Sequence, residues 1–291
     1  MLADLFSVLA PVFVTAGIGF AWIKAGRTLD TNQFTPIIVF VGSPCLVFST
    51  LMESGVDIGL LGQIAGIAIL AHAAALTMGF LALKAGGYPL RAFLPSLMLP
   101  NTGNMGLPLC LFAFGDIGLA LGIAYFTISA LLQFTVGISI AAGGMSVKRA
   151  LSTPHIYVVS LAVLLLWTGT TLPEWVSNTV HLIGQFTIPL MLLFLGVSLA
   201  RLTVQGVGRA VILSVVRIGG GLAVGVLLVW AFGLTGPAAG VVLIQSSMPV
   251  AVFNYLFAQY YDNSPAEVAG LVVVSTAISF ATLPFLLAFV L

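Results

Sequence analysis

The residues best suited to chemistry lie between Leu99 and Leu109, a stretch reading Leu-Pro-Asn-Thr-Gly-Asn-Met-Gly-Leu-Pro-Leu. Pro100 and Pro108 each remove a backbone donor and clash with the turn before them. Gly103 and Gly106 weaken a helix further, while Asn101, Thr102 and Asn104 can bond the backbone groups set free. The stretch interrupts an apolar run, 90–114, that otherwise has the length of a membrane span. In hydrocarbon every freed backbone group needs a partner, so an opened helix survives only against protein or a water-filled cavity. Polar side chains at such a break are how many secondary transporters build a substrate site at the bilayer midplane. A second candidate is Gln245-Ser246-Ser247-Met248-Pro249-Val250-Ala251-Val252-Phe253-Asn254, again a proline flanked by side chains able to satisfy loosened backbone. The competing reading for both is an ordinary proline kink packed between helices.

The chemistry these stretches offer is binding, and of anions. Half-helix N-termini point unpaired N–H groups and a positive dipole at the break, and no Asp or Glu lies within any span interior. Arg217 is the one Lys or Arg in a span interior, eight residues past Arg209. We read it as snorkelling to the cytoplasmic interface, with pairing to substrate as the alternative. His72 could carry a coupling proton, although a neutral histidine bonded between helices is the commoner arrangement. His181 falls near a span end. The triplet Gly219-Gly220-Gly221 is explained by close helix packing. Cys45 and Cys110 sit in apolar segments as small packing residues, and nothing suggests a metal site or a cofactor.

The elements that must position these residues follow from composition. The 291-residue chain is 60% hydrophobic and 6% charged, with mean hydropathy +1.20, whereas soluble domains are about 25% charged. It is an all-α polytopic membrane protein, and a net charge of +1 leaves no basic field for nucleic acid. The acidic N-terminus, with Asp4 and no basic run, reads as a retained span. Ten apolar runs are long enough to cross a bilayer: 3–23, 34–52, 58–83, 90–115, 117–143, 154–172, 177–200, 208–232, 236–260 and 266–290. The boundary at Gly115-Asp116 is the tightest. Lys24, Arg27, Lys84, Arg91, Lys148, Arg149, Arg201 and Arg209 all belong to odd-numbered loops. The even loops hold no Lys or Arg and three of them carry acids, so the odd loops are expected in the cytoplasm and both termini outside the inner membrane.

The halves repeat. Pro44 in the second span is matched by Pro189 in the seventh, 145 residues later, and Pro108 in the fourth by Pro249 in the ninth, 141 residues later. With five spans per half the second copy must enter inverted, dividing the chain into 1–145 and 146–291. Inverted repeats with interrupted helices at matching positions are a transporter signature.

At these segments the chain resembles the auxin efflux carrier family, which includes the plant PIN carriers and bacterial organic-acid transporters. The resemblance rests on Pro100 to Leu109 and on Met248-Pro249-Val250-Ala251. Support comes from Ser43 to Phe48 and from Ile188 to Leu199. It implies that spans four and nine cross at their unwound middles, an elevator-type movement and a homodimer. Carried over residue by residue, it puts Asn101, Asn104 and Pro108 in one crossing, and Gln245, Ser246, Ser247 and Pro249 in the other. Thr102, Met105, Val250 and Asn254 complete the expected substrate-binding set. Asn254 stands where plant members tend to have a second proline, and the long loop between spans five and six is missing. Asn101, Asn104, Ser246 and Ser247 are expected to line one cavity, with a carboxylate against half-helix N-termini near Met105 and Val250. The expected activity is secondary transport of a small organic anion, such as malate, malonate or an auxin-like aromatic acid. The rival readings are a sodium-coupled symporter of the bile-acid type, whose NhaA-like crossover architecture is similar, and an anion channel. No enzyme signature accompanies these segments.

Overall fold

The computed structural model describes residues 2–144, 154–202 and 205–291; the Lys148-Arg149 loop lies outside them. Among the described residues the fold is helical throughout, relieved by one isolated β-bridge. Six helices are long and apolar enough to cross a membrane: Phe6–Lys24, Ile58–Gly86, Thr102–Ala142, Glu174–Arg201, Val207–Ala231 and Pro265–Val290. Shorter apolar helices accompany them, Phe40–Glu53, Tyr157–Thr168 and Gly236–Ser246 among them. Their outward faces carry bare Phe, Trp, Leu and Val side chains, as lipid contact requires. The chain is a multi-pass membrane protein.

Local sequence sets the helix ends. Asp57 caps the helix Ile58–Gly86 by accepting from the Leu60 N–H at 3.0 Å, and Gly87, at φ 66°, closes it in the left-handed region. Gly115 does more. At φ 63° and ψ −152° it occupies a conformation reserved for glycine, and the chain reverses there. A Cβ on Gly118 would lie 2.3 Å from the Cys110 carbonyl, and one on Gly122 3.2 Å from the Cys110 side chain, distances impossible in a straight helix. The apolar stretch Thr102–Ala142 is therefore a hairpin of two helices.

Pro44 and Pro108 share a register. Each is the second residue after a five-residue π-turn, Ile38–Gly42 and Thr102–Gly106 respectively. A proline ring cannot accept the carbonyl four residues back, so the turn before it widens. Pro108 thus sits in the helical arm that follows the π-turn and does not break it, which corrects the expectation that both prolines open the fourth span.

Two groups of helices emerge from the close approaches. Gly19 and Gly196 let Leu2–Lys24 and Thr187–Arg201 touch backbone to backbone, and Gly184 does the same for Glu174–Gln185 against Ser43–Glu53. The second group packs Ile58–Gly86, Leu90–Met98, Leu107–Leu132, Val207–Ala231, Gly236–Ser246 and Pro265–Val290 together. Each group draws on both halves of the sequence.

Candidate functional site

Leu99 precedes Pro100, and a residue in that position is driven out of the helical region. Its φ of −108° and ψ of 97° end the half-helix Leu90–Met98 in extended backbone. The half-helix Gly236–Ser246 ends at Ser247, with φ −90° and ψ 0°, two residues ahead of Pro249. The two extended pieces lie antiparallel, Pro100 opposite Val250. Asn101 donates its backbone N–H to the Pro249 carbonyl at 2.7 Å, and Ala251 donates to Leu99 at 3.3 Å. The Asn254 side-chain amide adds a bond to the Leu99 carbonyl at 3.1 Å, and the Val250 N–H reaches Ser275 Oγ, also at 3.1 Å. Two interrupted helices are thereby held at their breaks, with these freed backbone groups partnered.

One side of this crossing collects the helix C-termini, and Arg217 sits on it. Its guanidinium donates to the carbonyls of Leu97 at 2.8 Å, of Met248 at 3.3 Å and of Ser246. Leu97 closes one half-helix; Ser246 and Met248 close the other. Each C-terminus is equivalent to about half a negative charge, so one cation balances the pair. Arg217 is only 2% exposed. It does not snorkel to an interface, because two converging dipoles offer it a better partner than water beyond the bilayer. Gly221, one turn on, is what admits it: a Cβ there would stand 2.1 Å from the Ser246 carbonyl. The same dry cluster holds Tyr125, whose hydroxyl is 3.1 Å from Ser246 Oγ. His72 lies 2.7 Å from the Ala68 carbonyl through Nδ1 and 3.0 Å from Ser129 Oγ through Nε2. That pattern suits a neutral ring donating at Nδ1 and accepting at Nε2.

The helices that leave the crossing, Thr102–Gly106 with its continuation and Phe253–Tyr260, start on the other side. Their first residues, Thr102 to Asn104 and Ala251 to Phe253, line a cavity of about 460 Å³ between the two helix groups. Ser43, Met191, Phe194 and Ser198 come from the first group; Phe126, Gln133 and Phe134 from the second. The exposed residues Pro36, Arg201 and Leu256 mark its mouth, and among the described residues Arg201 is the one ionised side chain in the lining. Asn101 is 4% exposed, lines this cavity, and its amide Nδ2 has no hydrogen-bond partner within the protein. A buried donor left open costs about 1–3 kcal/mol, a cost that a bound acceptor would remove.

The expected site residues therefore divide. Asn101, Thr102 and Asn104 line the cavity; Met105 and Pro108 are buried behind them in the core. Pro249 and Val250 contribute backbone to the bridge. Ser246 faces the Arg217 cluster, and Ser247 turns back to the Leu243 carbonyl at 2.6 Å. The shared cavity expected for Asn101, Asn104, Ser246 and Ser247 does not form, because the bridge places the serines on the C-terminal side. Gln245, fully buried, packs on Gly106 and donates to the Gly122 carbonyl at 3.4 Å. The half-helices begin at Thr102 and Phe253, each within one turn of the expected Met105 and Val250. Ser43, Gln133, Ser198 and Arg201 were not expected in the lining; Ser43, ahead of Pro44 in register with Leu107-Pro108, carried the only local signal.

The family described as membrane transport protein matches residues 138–287, a region containing Arg217 and the second interrupted helix. The chain belongs to this auxin efflux carrier-like family. It is 25% identical over 262 residues to an uncharacterized transporter of Methanocaldococcus jannaschii, covering 84% of each chain. It is 28% identical over 274 residues to an uncharacterized transporter of Methanothermobacter thermautotrophicus, covering 88% of this chain and 87% of that one. In this membrane transport protein the two interrupted helices meet beside the cavity between the helix groups.

Proposed function

We propose that the protein is a secondary transporter of organic anions and that the substrate carboxylate binds in the cavity at the two half-helix N-termini. The observation that carries this reading is the Asn101 amide, buried and without a partner, at the point where both N-termini begin. Each N-terminus is equivalent to about half a positive charge, so together they match one carboxylate. Among the described residues no acid lines the cavity, and Phe126, Phe134 and Phe194 leave its walls largely apolar. The binding set is Asn101, Thr102 and Asn104 with the Ala251–Phe253 backbone. Ser43 and Gln133 lie within the same lining.

The layout we propose is ten membrane passes in two inverted repeats of five, with the Gly115 reversal separating the fourth from the fifth. The helix group around Leu2–Lys24 and Thr187–Arg201 forms a scaffold, and the group holding the crossing moves along it as an elevator. A homodimer joined through the scaffold suits such a movement. Arg201 marks the cavity's mouth and bonds the Leu29 carbonyl; of the other basic side chains, Arg209 pairs with Glu267 and stacks on Tyr88, and Arg91 lies against Gly143. That end is the cytoplasmic one, which makes this an inward-facing state with both termini outside the plasma membrane.

The reading is tested by a thermal-shift screen of malate, malonate, indole-3-acetate and matched amines on the purified protein, followed by counterflow in proteoliposomes. We expect carboxylates alone to raise the melting midpoint and at least one to exchange with saturation. Stabilisation by amines alone, or current that never saturates, would contradict it.

A further inference from the structure

The converging C-termini of broken helices, with their unwound carbonyls, are where transporters of this type hold a coupling cation. Here three such carbonyls, those of Leu97, Ser246 and Met248, already receive donors from one side chain. We propose that Arg217 is a resident cation that takes the place of a mobile one, so that this carrier works without bound sodium. The proposal rests on the transporter reading above and names the coupling that reading leaves open.

Among the described residues Arg217 is the one fully buried side chain of the Lys, Arg, Asp and Glu types. Among the described residues no carboxylate stands beside it to hold a second positive charge, and the neighbouring ionisable groups, Tyr125 and His72, are engaged by Ser246 and by Ala68 and Ser129. A sodium ion entering here would meet an uncompensated guanidinium in a dry environment. The surrounding gap is also too small, at about 10 Å³, to admit an ion with its waters. The seat is shaped for arginine by Gly221, where a Cβ would lie 2.8 Å from the guanidinium as well as against the Ser246 carbonyl. Being covalently fixed to the Val207–Ala231 helix, this charge travels with the crossing and draws on no ion gradient.

The test compares melting midpoints of the full-length protein in sodium chloride and in choline chloride at equal ionic strength. For the unsubstituted protein we expect no sodium-specific shift beyond about 1 °C, and for Arg217→Ala a midpoint lowered by several degrees. We further expect sodium, but not choline, to recover part of that loss in a saturable way, since the three carbonyls then stand open. Gly221→Ala keeps the charge while obstructing its seat, and should melt lower with no recovery by sodium. A saturable sodium shift in the unsubstituted protein overturns the proposal, as does an Arg217→Ala protein whose loss sodium never touches. If Arg217→Ala does not fold, the unsubstituted protein's response decides alone. These readouts need no substrate, so failure of every carboxylate in the transport assay would count against the carboxylate reading and not against this one. Where a carboxylate is carried, replacing sodium by choline should alter its initial uptake rate less than twofold; a tenfold dependence overturns the proposal.

Discussion

Asn101 and Asn254 lie on the same crossing and do opposite work. The Asn254 amide donates to the Leu99 carbonyl and so helps hold the two breaks together. The Asn101 amide donates to nothing within the protein although the residue is buried. Asn254→Leu should therefore lower stability, by about 1–3 kcal/mol for the group left unpartnered, and the thermal midpoint reports it. Asn101→Leu removes a donor that was already open, so its midpoint should hold or rise. Its carboxylate affinity should nevertheless fall roughly 10- to 100-fold, the worth of one hydrogen bond to a charged group. Equilibrium binding separates the two effects; a destabilised Asn101→Leu protein with unchanged affinity would put the open amide outside the site. Residue types alone marked Asn101 and Asn254 as candidates, but nothing in their types distinguished a binding group from a structural one. That difference arises from the bridge between Pro100 and Val250, a pairing across about half the chain.

At the scale of elements, proline and glycine were legible because their constraints act locally. Pro100 and Pro249 place the breaks, since the residue before each is forced out of the helix. Pro108 misled, because whether a proline opens a helix or begins one depends on the turn before it, and a π-turn is not visible in a sequence. Arg217 misled for a related reason. Its spacing from Arg209 suggests a reach toward the interface, whereas the carbonyls that hold it come from two other helices. Gly115 illustrates the local case best. At φ 63° and ψ −152° any side chain is strained, so Gly115→Ala should cost on the order of 1–3 kcal/mol. Gly17, helical and with nothing within 4 Å of a Cβ, is the control: Gly17→Ala should be neutral or slightly stabilising. Equal midpoints for the two variants would mean that the hairpin between Leu107 and Leu132 does not turn at Gly115.

For the whole molecule, the sequence halves and the packing units are different partitions. The repeat was read from proline spacing along the chain, but packing interleaves the halves into two helix groups with the cavity between them. No periodicity along a single segment reports which group a helix joins, which is why Ser43, Ser198 and Arg201 went unnoticed as lining residues. A separate cavity lined by Leu46, Glu53, Asp116 and His181 lies elsewhere between the helices, and there Glu53 and His181 approach to 3.0 Å. If the basic end faces the cytoplasm, single cysteines at 53–57 should be labelled from outside the cell and cysteines at 262–264 should not, in a Cys45→Ser, Cys110→Ala background. The reverse labelling would invert the orientation. The central claim is that the carboxylate lies on the N-terminal side of the crossing and not against Arg217. The most direct measurement is the anomalous signal of a brominated carboxylate, chosen from those that raise the melting midpoint, in crystals of the protein. The account predicts the bromine inside the cavity lined by Phe126, Phe134 and Phe194, with the carboxylate within hydrogen-bond reach of Asn101; a signal beside Arg217, Tyr125 and His72 would contradict it.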